Sequence, residues 1–199
     1  MKANKPTKML LATGIALAIG AGSVHAQESS LSYNYLDVLY HDGEVRGLDQ
    51  DAIGARASFA LNDSFFLKGS MIRGETDHNV NPAGKLRLRG YSAGLGYRVA
   101  INQSTDLVTG FEYVREDYRY PARSRDRKGF AADMGIRTMF TDNVEFQGGI
   151  VYRDARDFDG DLGFQLETRV HLSPMFAVTL GYQDIDEVDG LHAGLRLSF

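Results

Sequence analysis

The chain has 199 residues and no cysteine, and its 22 basic and 26 acidic residues give a formal net charge of −4. The acidic balance argues against a nucleic-acid partner by bulk charge. The absence of cysteine excludes a disulfide framework and thiolate chemistry, so the fold must be stabilised by a core, a metal or a membrane.

The first 26 residues have the composition of a secretory signal peptide. Lys2, Lys5 and Lys8 give a basic start, an uncharged apolar run follows over residues 9–22, and Val24-His25-Ala26 fits the small-residue cleavage pattern. The apolar run is shorter than the roughly 18 residues of a spanning helix, which makes an N-terminal membrane anchor the less favoured alternative. We predict that residues 27–199 form one domain, with 19 basic and 26 acidic residues and a formal charge of −7.

Apolar and polar residues then alternate with a period of two along most of the chain. In GLHAGLRLSF, the last ten residues, the apolar residues Leu191, Leu195, Leu197 and Phe199 occupy one face up to the final position. Such alternation is typical of a β-strand whose two faces meet different surroundings. The pattern predicts an all-β fold with strands, in chain order, over residues 31–40, 52–61, 65–73, 86–100, 106–118, 129–140, 144–156, 162–172, 176–186 and 191–199.

Two kinds of connection alternate between these strands. Tight turns are predicted at LNDSF (61–65), INQST (101–105), FTDNV (140–144) and LSPMF (172–176), and long charged loops at 41–51, 74–85, 119–128, 157–161 and 186–190. A water-soluble sandwich also has alternating strands. Short turns at one end and long loops at the other, however, are the layout of a transmembrane up-and-down antiparallel β-barrel in the outer membrane. We predict ten strands, with eight as the alternative if hairpins near the C-terminus merge or one lies outside the wall.

On this alternation and its turns, the chain resembles the small single-domain bacterial outer-membrane β-barrel proteins of OmpX/Ail-like architecture over its whole mature length. The resemblance implies that the last strand is read by the outer-membrane assembly machinery, with this role falling on Tyr182, Leu191, Leu195, Leu197 and Phe199. LSYNY (31–35) and STDLV (104–108) are similar to a subgroup linked to biofilm, virulence and diffusible-signal responses. The implied location is the bacterial outer membrane, with outer-membrane vesicles as a further location to test.

Charges of both signs occupy the faces opposite the apolar ones, where a barrel has its interior. A narrow barrel is filled by side chains, and charges held away from water are tolerated when they are paired. A selective pore would favour a ring of one sign, so we favour an ion-paired, plugged interior over a narrow porin-like channel. The predicted lumen charge network comprises Asp37, Arg56, Lys68, Arg98, Glu112, Asp133, Arg137, Glu145, Arg153, Glu167, Arg169 and Arg196, with Glu116 on the same face.

Two short motifs invite a chemical interpretation. His171-Leu172-Ser173 has a spacing similar to that of lipid A deacylase barrels, whose His activates a Ser nucleophile, but it adjoins a predicted periplasmic turn, away from outer-leaflet lipid. DFDGD (157–161) lacks the glutamate that completes an EF-hand. We therefore predict no catalytic, cofactor or metal site, and a lipid-modifying enzyme is the least favoured function.

Basic residues concentrate in the fourth strand and the third long loop, which a barrel makes neighbours. We predict that they form one basic rim that contacts lipopolysaccharide or another polyanion, because arginine binds phosphate bidentately; a merely solvated loop is the alternative. The predicted function is structural or interactive, through contact with lipopolysaccharide, matrix, a host ligand or other cells, and the oligomeric state is open. The rim comprises Lys85, Arg87, Arg89, Arg119, Arg123, Arg125 and Arg127.

Overall fold

Ten antiparallel strands close into one barrel in the computed structural model, which describes residues 30–45, 47–76, 84–120, 123–154, 160–185 and 188–199. The predicted all-β barrel of ten strands is confirmed, and the eight-stranded alternative is wrong because each predicted strand has its own two ladders. The predicted signal peptide lies outside the described residues. The strands are β1 (Tyr35–Val45), β2 (Leu48–Ala60), β3 (Phe65–Thr76), β4 (Arg87–Asn102), β5 (Thr105–Tyr120), β6 (Arg123–Thr141), β7 (Val144–Asp154), β8 (Asp161–His171), β9 (Phe176–Ile185) and β10 (Val188–Ser198).

Within the described ranges, no helix is long and apolar enough to cross a membrane.

The barrel closes where β1 pairs with β10. Tyr35 lies opposite Ser198, and the ladder continues to Val45 opposite Val188. Beyond the last strand residue, the Phe199 amide still donates to the Asn34 carbonyl at 3.1 Å. The apolar C-terminus is therefore tied into the closing seam, since a closed barrel leaves no free edge strand.

Each strand turns its apolar face outward. In β9, for example, Phe176, Val178 and Leu180 are exposed while the intervening Ala177 and Thr179 are buried. The large exposed side chains, which include Leu67, Phe111, Ile136 and Leu195 on other strands, form a continuous apolar band around the wall. An apolar band on the outside and polar groups inside is the arrangement that a lipid environment requires.

The strands extend further than predicted at the end opposite the short turns. The β1–β2, β5–β6 and β9–β10 ladders run through most of the segments 41–51, 119–128 and 186–190, which were predicted as loops. The prediction was wrong because the outward face there meets water instead of lipid. Both faces become polar, so the alternation vanishes from the sequence although the backbone ladder continues.

The short turns are closed by their own side chains. Asn62 Oδ1 accepts hydrogen bonds from the Ser64 and Phe65 amides at 2.9 and 2.8 Å. Ser173 Oγ accepts from the Phe176 amide at 3.1 Å. Short turns of this kind face the periplasm in outer-membrane barrels, which assigns the extended hairpins to the outside of the cell.

Residues 30–34, which we call the N-terminal strap, are not part of the first strand, although that strand was predicted to begin at residue 31. The strap crosses the periplasmic opening: the Ser30 amide donates to the Gln103 carbonyl in the β4–β5 turn at 3.0 Å. Leu31 and Tyr33 are buried. Their alternation with Ser32 mimics a strand, but their side chains fill the lumen instead of facing lipid.

Candidate functional site

An alternating chain of acids and arginines crosses the middle of the lumen, and we call it the ion-pair network. It begins where Arg196 donates to both oxygens of Asp37 at 2.7 and 2.8 Å. Arg56 on β2 then bridges Asp37, at 2.8 Å, and Glu167 on β8. These contacts join strands that lie on different sides of the barrel.

The network continues from β8 to β6. Arg169 bridges Glu167 and Glu145, and Arg137 donates to both Glu145 oxygens at 2.6 and 3.0 Å. Every charged residue of the network except the half-buried Arg56 is buried. Each of the three carboxylates contacts two arginine side chains. The attraction between these opposite charges offsets the free-energy cost of removing them from water.

Two histidines extend the network. His192 Nε2 lies 2.8 Å from a Glu167 oxygen, and His171 Nε2 lies 3.1 Å from a Glu145 oxygen. His41 on β1 packs beside His192, with ring centroids 5.2 Å apart. Ser173, the hypothetical nucleophile, instead accepts the turn hydrogen bond described above, so the structure does not bring a His–Ser pair together at that hydroxyl.

A second polar group lies on β3–β6. The Lys68 ammonium contacts Asp133 and lies 3.1 Å from Glu112, and Ser92 donates to Glu112 at 2.8 Å. A Cβ at Gly110 would lie 2.7 Å from both the Lys68 nitrogen and an Asp133 oxygen, so a larger residue there would displace the ends of these side chains. The glycine therefore leaves room for the ion pair.

The strap fills the periplasmic end of the lumen. Tyr33 lies between the guanidinium groups of Arg98 and Arg137, each 4.7 Å from its ring centroid, and its hydroxyl donates to Asp106 at 2.8 Å. Burial raises the pKa of the Tyr33 hydroxyl above its ordinary value, which keeps this donor protonated. Leu31, Tyr33, Phe66 and Val108 form an apolar cluster there.

The outer end of the lumen is filled by a different apolar cluster. Val45, Leu86, Leu88 and Tyr118 pack together with the partly buried Leu48 and Val188. Below it, Arg153 contacts Glu116 at 3.0 Å, and the Tyr118 hydroxyl donates to the same carboxylate. The lumen thus has apolar clusters at both ends and charges between them.

A vestibule of about 910 Å³, lined by both polar and apolar residues, opens on the periplasmic side of the strap, between the β6–β7 and β8–β9 turns. Among the described residues no group of His, Asp or Glu side chains is placed to hold a metal ion. The acidic loop 157–161, which was considered as a calcium loop, falls largely in the undescribed residues 155–159.

Above the apolar band, the outward faces of the extended strands form what we call the outer collar, and its charges are segregated. In the described part of the chain, the outward faces of β7, β9, β10, β1 and β2 carry charges of one sign only. This acidic sector comprises Asp42, Glu44, Asp49, Asp51, Asp154, Asp184 and Asp189. The basic sector, on β3–β6, comprises Arg73, Lys85, Arg87, Arg89, Arg115, Arg119 and Lys128, together with Glu75, Asp117 and Asp126.

The predicted single basic rim is wrong, because its members lie on two faces of the wall. Lys85, Arg87, Arg89 and Arg119 belong to the outward basic sector. The positions of Arg125 and Arg127 alternate with that face, and Arg127 is buried with its guanidinium 5.0 Å from the Tyr118 ring centroid. The side chain of Arg123 lies outside the described part of the chain. The segment was predicted as a loop, in which odd and even positions have no fixed orientation. In a strand, successive side chains point to opposite faces, so the odd or even number of a residue (its parity) decides which face it occupies.

Three acids of the basic sector are each bound to a base. Glu75 lies 3.5 Å from Lys85 and 3.6 Å from Arg87. Asp117 contacts Arg119 at 3.2 Å, and Asp126 contacts Arg115 at 2.9 Å. In the described part of the chain, no acid lies within ion-pair distance of Arg73, Arg89 or Lys128.

Several residues of the lumen and collar were missed in the sequence. Asp106 is fully buried and binds Tyr33 and Arg98. The sequence signal for this position is its even number, which puts Asp106 on the same inward face of β5 as Glu112. Arg73 ends a predicted strand and was not assigned to the rim. His192 shares the polar face of the last strand with Arg196, which is the signal that places it in the lumen, but its contact with Glu167 joins different strands and leaves no local pattern.

A family model for the outer membrane protein beta-barrel domain matches residues 14–165. The chain belongs to this family of bacterial outer-membrane proteins. No curated protein matches the chain. The family match confirms the predicted outer-membrane location. The resemblance to a biofilm-linked subgroup stays a prediction.

Solved structures with a similar fold share little sequence with this chain. A KdgM porin is 12% identical over 83% of this chain and 99% of its own, with a TM-score of 0.46. Neisserial surface protein A is 15% identical over 83% and 95%, with a TM-score of 0.43. The attachment invasion locus protein Ail of Yersinia pestis is 13% identical over 82% and 95%, with a TM-score of 0.40.

Proposed function

We propose that this protein is a non-conducting outer-membrane barrel of structural and interaction type that works through its outer collar. The observation that carries the proposal is the filled lumen. The ion-pair network crosses it from Arg196 to Arg137, and apolar clusters occupy both ends. An ion in transit would have to displace buried, mutually paired charges, each of which is costly to leave unpaired.

The outer collar is the surface that remains for function. The basic sector stands directly above the apolar band, at the level where the outer leaflet presents phosphorylated lipid heads. Arginine suits such groups because its planar guanidinium donates two parallel hydrogen bonds to a phosphate. We propose lipopolysaccharide as the partner of the basic sector, with anionic matrix polymers or other cell surfaces as further partners of the same chemistry.

Planar-bilayer recording tests the first part of the proposal. The refolded barrel is expected to show no ohmic conductance above that of the bilayer, in the wild type and in R137Q. A steady conductance whose ion selectivity changes in R137Q without loss of folded protein would overturn it and support the narrow channel.

Binding tests the second part. Removing four outward arginines of the basic sector (R73Q, R87Q, R89Q and R119Q) is expected to weaken lipopolysaccharide binding, most strongly at low salt, because exposed charges are screened within about 8 to 10 Å at physiological ionic strength. The matched control neutralises four acids of the other sector (D42N, E44Q, D49N and D51N). Equal binding by wild type and the arginine variant across a salt series would refute the assignment. Mass analysis of lipid A before and after incubation with the barrel tests the lipid-modifying alternative, for which we expect no change.

A further inference from the structure

The outer wall carries a groove between β1 and β4 with a volume of about 480 Å³. Its lower part is apolar. Val38, Ala55, Met71 and Tyr91 lie opposite one another on four consecutive strands, and Ala55 ends at its Cβ between two longer side chains. This makes a hollow between Val38 and Met71 on the outer wall.

Two arginines form the upper edge of this groove. Arg73 and Arg89 lie directly opposite each other on β3 and β4, one row above Met71 and Tyr91. Like charges in this position are destabilising. Asp117 faces Arg89 in the register but binds Arg119, and Glu75 binds Lys85 and Arg87. An anion between the two guanidinium groups would offset their repulsion.

The arginines also lie at the right depth for a lipid head. Arg73 is eight residues along β3 from Phe65, the first outward aromatic residue of that strand, which is about 26 Å of strand at 3.3 Å per residue. At a tilt of roughly 40° this is about 20 Å along the membrane normal, just below the upper limit of an apolar band about 25 Å tall. From there a long arginine side chain extends upward to the headgroups. The groove below them therefore faces acyl chains of the outer leaflet.

We propose that this groove is a binding site for one phosphorylated, acylated lipid of the lipid A class, with a phosphate on Arg73 and Arg89 and an acyl chain over Ala55. The proposal rests on the contact between the basic sector and lipopolysaccharide proposed above and gives that contact a specific place. A soluble phosphate would use only the arginines. The apolar hollow directly beneath them is complementary to a ligand that carries the chain and the phosphate together.

The test measures lipid A affinity for the refolded barrel in detergent by native mass spectrometry, with folding checked by heat-modifiable migration in gels. R73Q/R89Q is expected to lower the affinity about tenfold or more, since it removes two charge-assisted contacts. R87Q/R119Q is the matched control, because Arg87 and Arg119 are also an opposed outward pair of the same sector but are bound to acids. This control is expected to lower the affinity less than threefold.

A second pair of variants tests the hollow with both arginines in place. A55F fills the groove and is expected to weaken lipid A binding several-fold without changing the binding of the deacylated phosphorylated headgroup. A132F makes the same change at an outward position of β6, opposite Phe111 and Tyr152, and is expected to leave both affinities unchanged. Inorganic phosphate is expected to compete weakly with either ligand.

The outcomes separate this site from the proposed function. Equal losses in R73Q/R89Q and R87Q/R119Q, or equal affinities in A55F and A132F, would overturn the site while leaving the basic sector as the contact. If neither arginine pair changes lipid A binding at low salt, both the site and the proposed lipopolysaccharide contact fail.

Discussion

The lumen and the outer collar contain the same kinds of charged residue but arrange them in opposite ways. In the lumen, acids and bases alternate, so that Glu145 alone contacts Arg137, Arg169 and His171. In the collar, one sector is acidic throughout its described residues and the other is mainly basic, and Arg73 and Arg89 face each other. Inside the barrel, water cannot solvate a charge, so a partner is required; outside it, water can, and unpaired charges remain available to a ligand.

The face that a charged side chain occupies, and its height on the wall, therefore distinguish stabilising from functional charges in such a barrel. A charged side chain that points into the lumen is expected to contribute to stability. A charged side chain that points outward above the apolar band is expected to contribute to recognition.

The largest effect is expected from E145A in the ion-pair network. Loss of this carboxylate leaves Arg137 and Arg169 buried with fewer partners, which is expected to lower the unfolding free energy by about 3 to 5 kcal/mol. Urea unfolding of the refolded barrel in detergent measures this change in unfolding free energy. The matched control is E44A in the acidic sector, expected within about 0.5 kcal/mol of wild type; similar losses in both variants would remove the distinction between lumen and collar.

The strap is expected to show a smaller but clear effect. Y33A removes a buried ring that lies between two arginines, which is expected to cost about 3 kcal/mol of unfolding free energy. Y33F keeps the ring and removes only the hydrogen bond to Asp106, with an expected cost of about 1 kcal/mol. The same urea titration measures both variants. A Y33A barrel as stable as the wild type would show that the strap does not hold the periplasmic end closed.

A change at the C-terminus is expected to alter assembly more than stability. F199A removes the aromatic side chain proposed to be read by the assembly machinery, and a several-fold loss of outer-membrane yield is expected in cells. Phe140 is a matched control, since it is also an exposed aromatic residue at the periplasmic edge. Fractionation of membranes and periplasm measures the yield. Equal yields of F199A and F140A would count against a recognition role for the last residue.

The smallest effect on stability is expected in the basic sector. R115Q breaks an exposed ion pair with Asp126, with an expected change below about 0.5 kcal/mol because water and salt screen such pairs. R137Q in the same urea titration is the comparison, and its loss is expected to be several times larger. A loss in R115Q as large as that in R137Q would show that the collar, too, is built for stability.

Much of this architecture was determined by the sequence itself. Alternation with a period of two over Leu162, Phe164 and Leu166, and again over Leu191, Leu195 and Leu197, predicted strands with one apolar face. That signal is strong because lipid contacts only one face and requires apolar side chains on it. The same alternation assigns Asp37, Glu145 and Arg196 to the interior without any knowledge of strand pairing.

Only the tertiary structure decided where the strands end and which charges meet. Above the apolar band both faces are polar, so the sequence did not show that Arg127 points inward while Arg119 points outward. The contact of Arg56 with Glu167 joins residues 111 positions apart, and the opposition of Arg73 and Arg89 depends on the register between β3 and β4. Partners across a lumen and neighbours across a ladder are set by barrel closure and strand register, which act between distant segments and leave no local pattern.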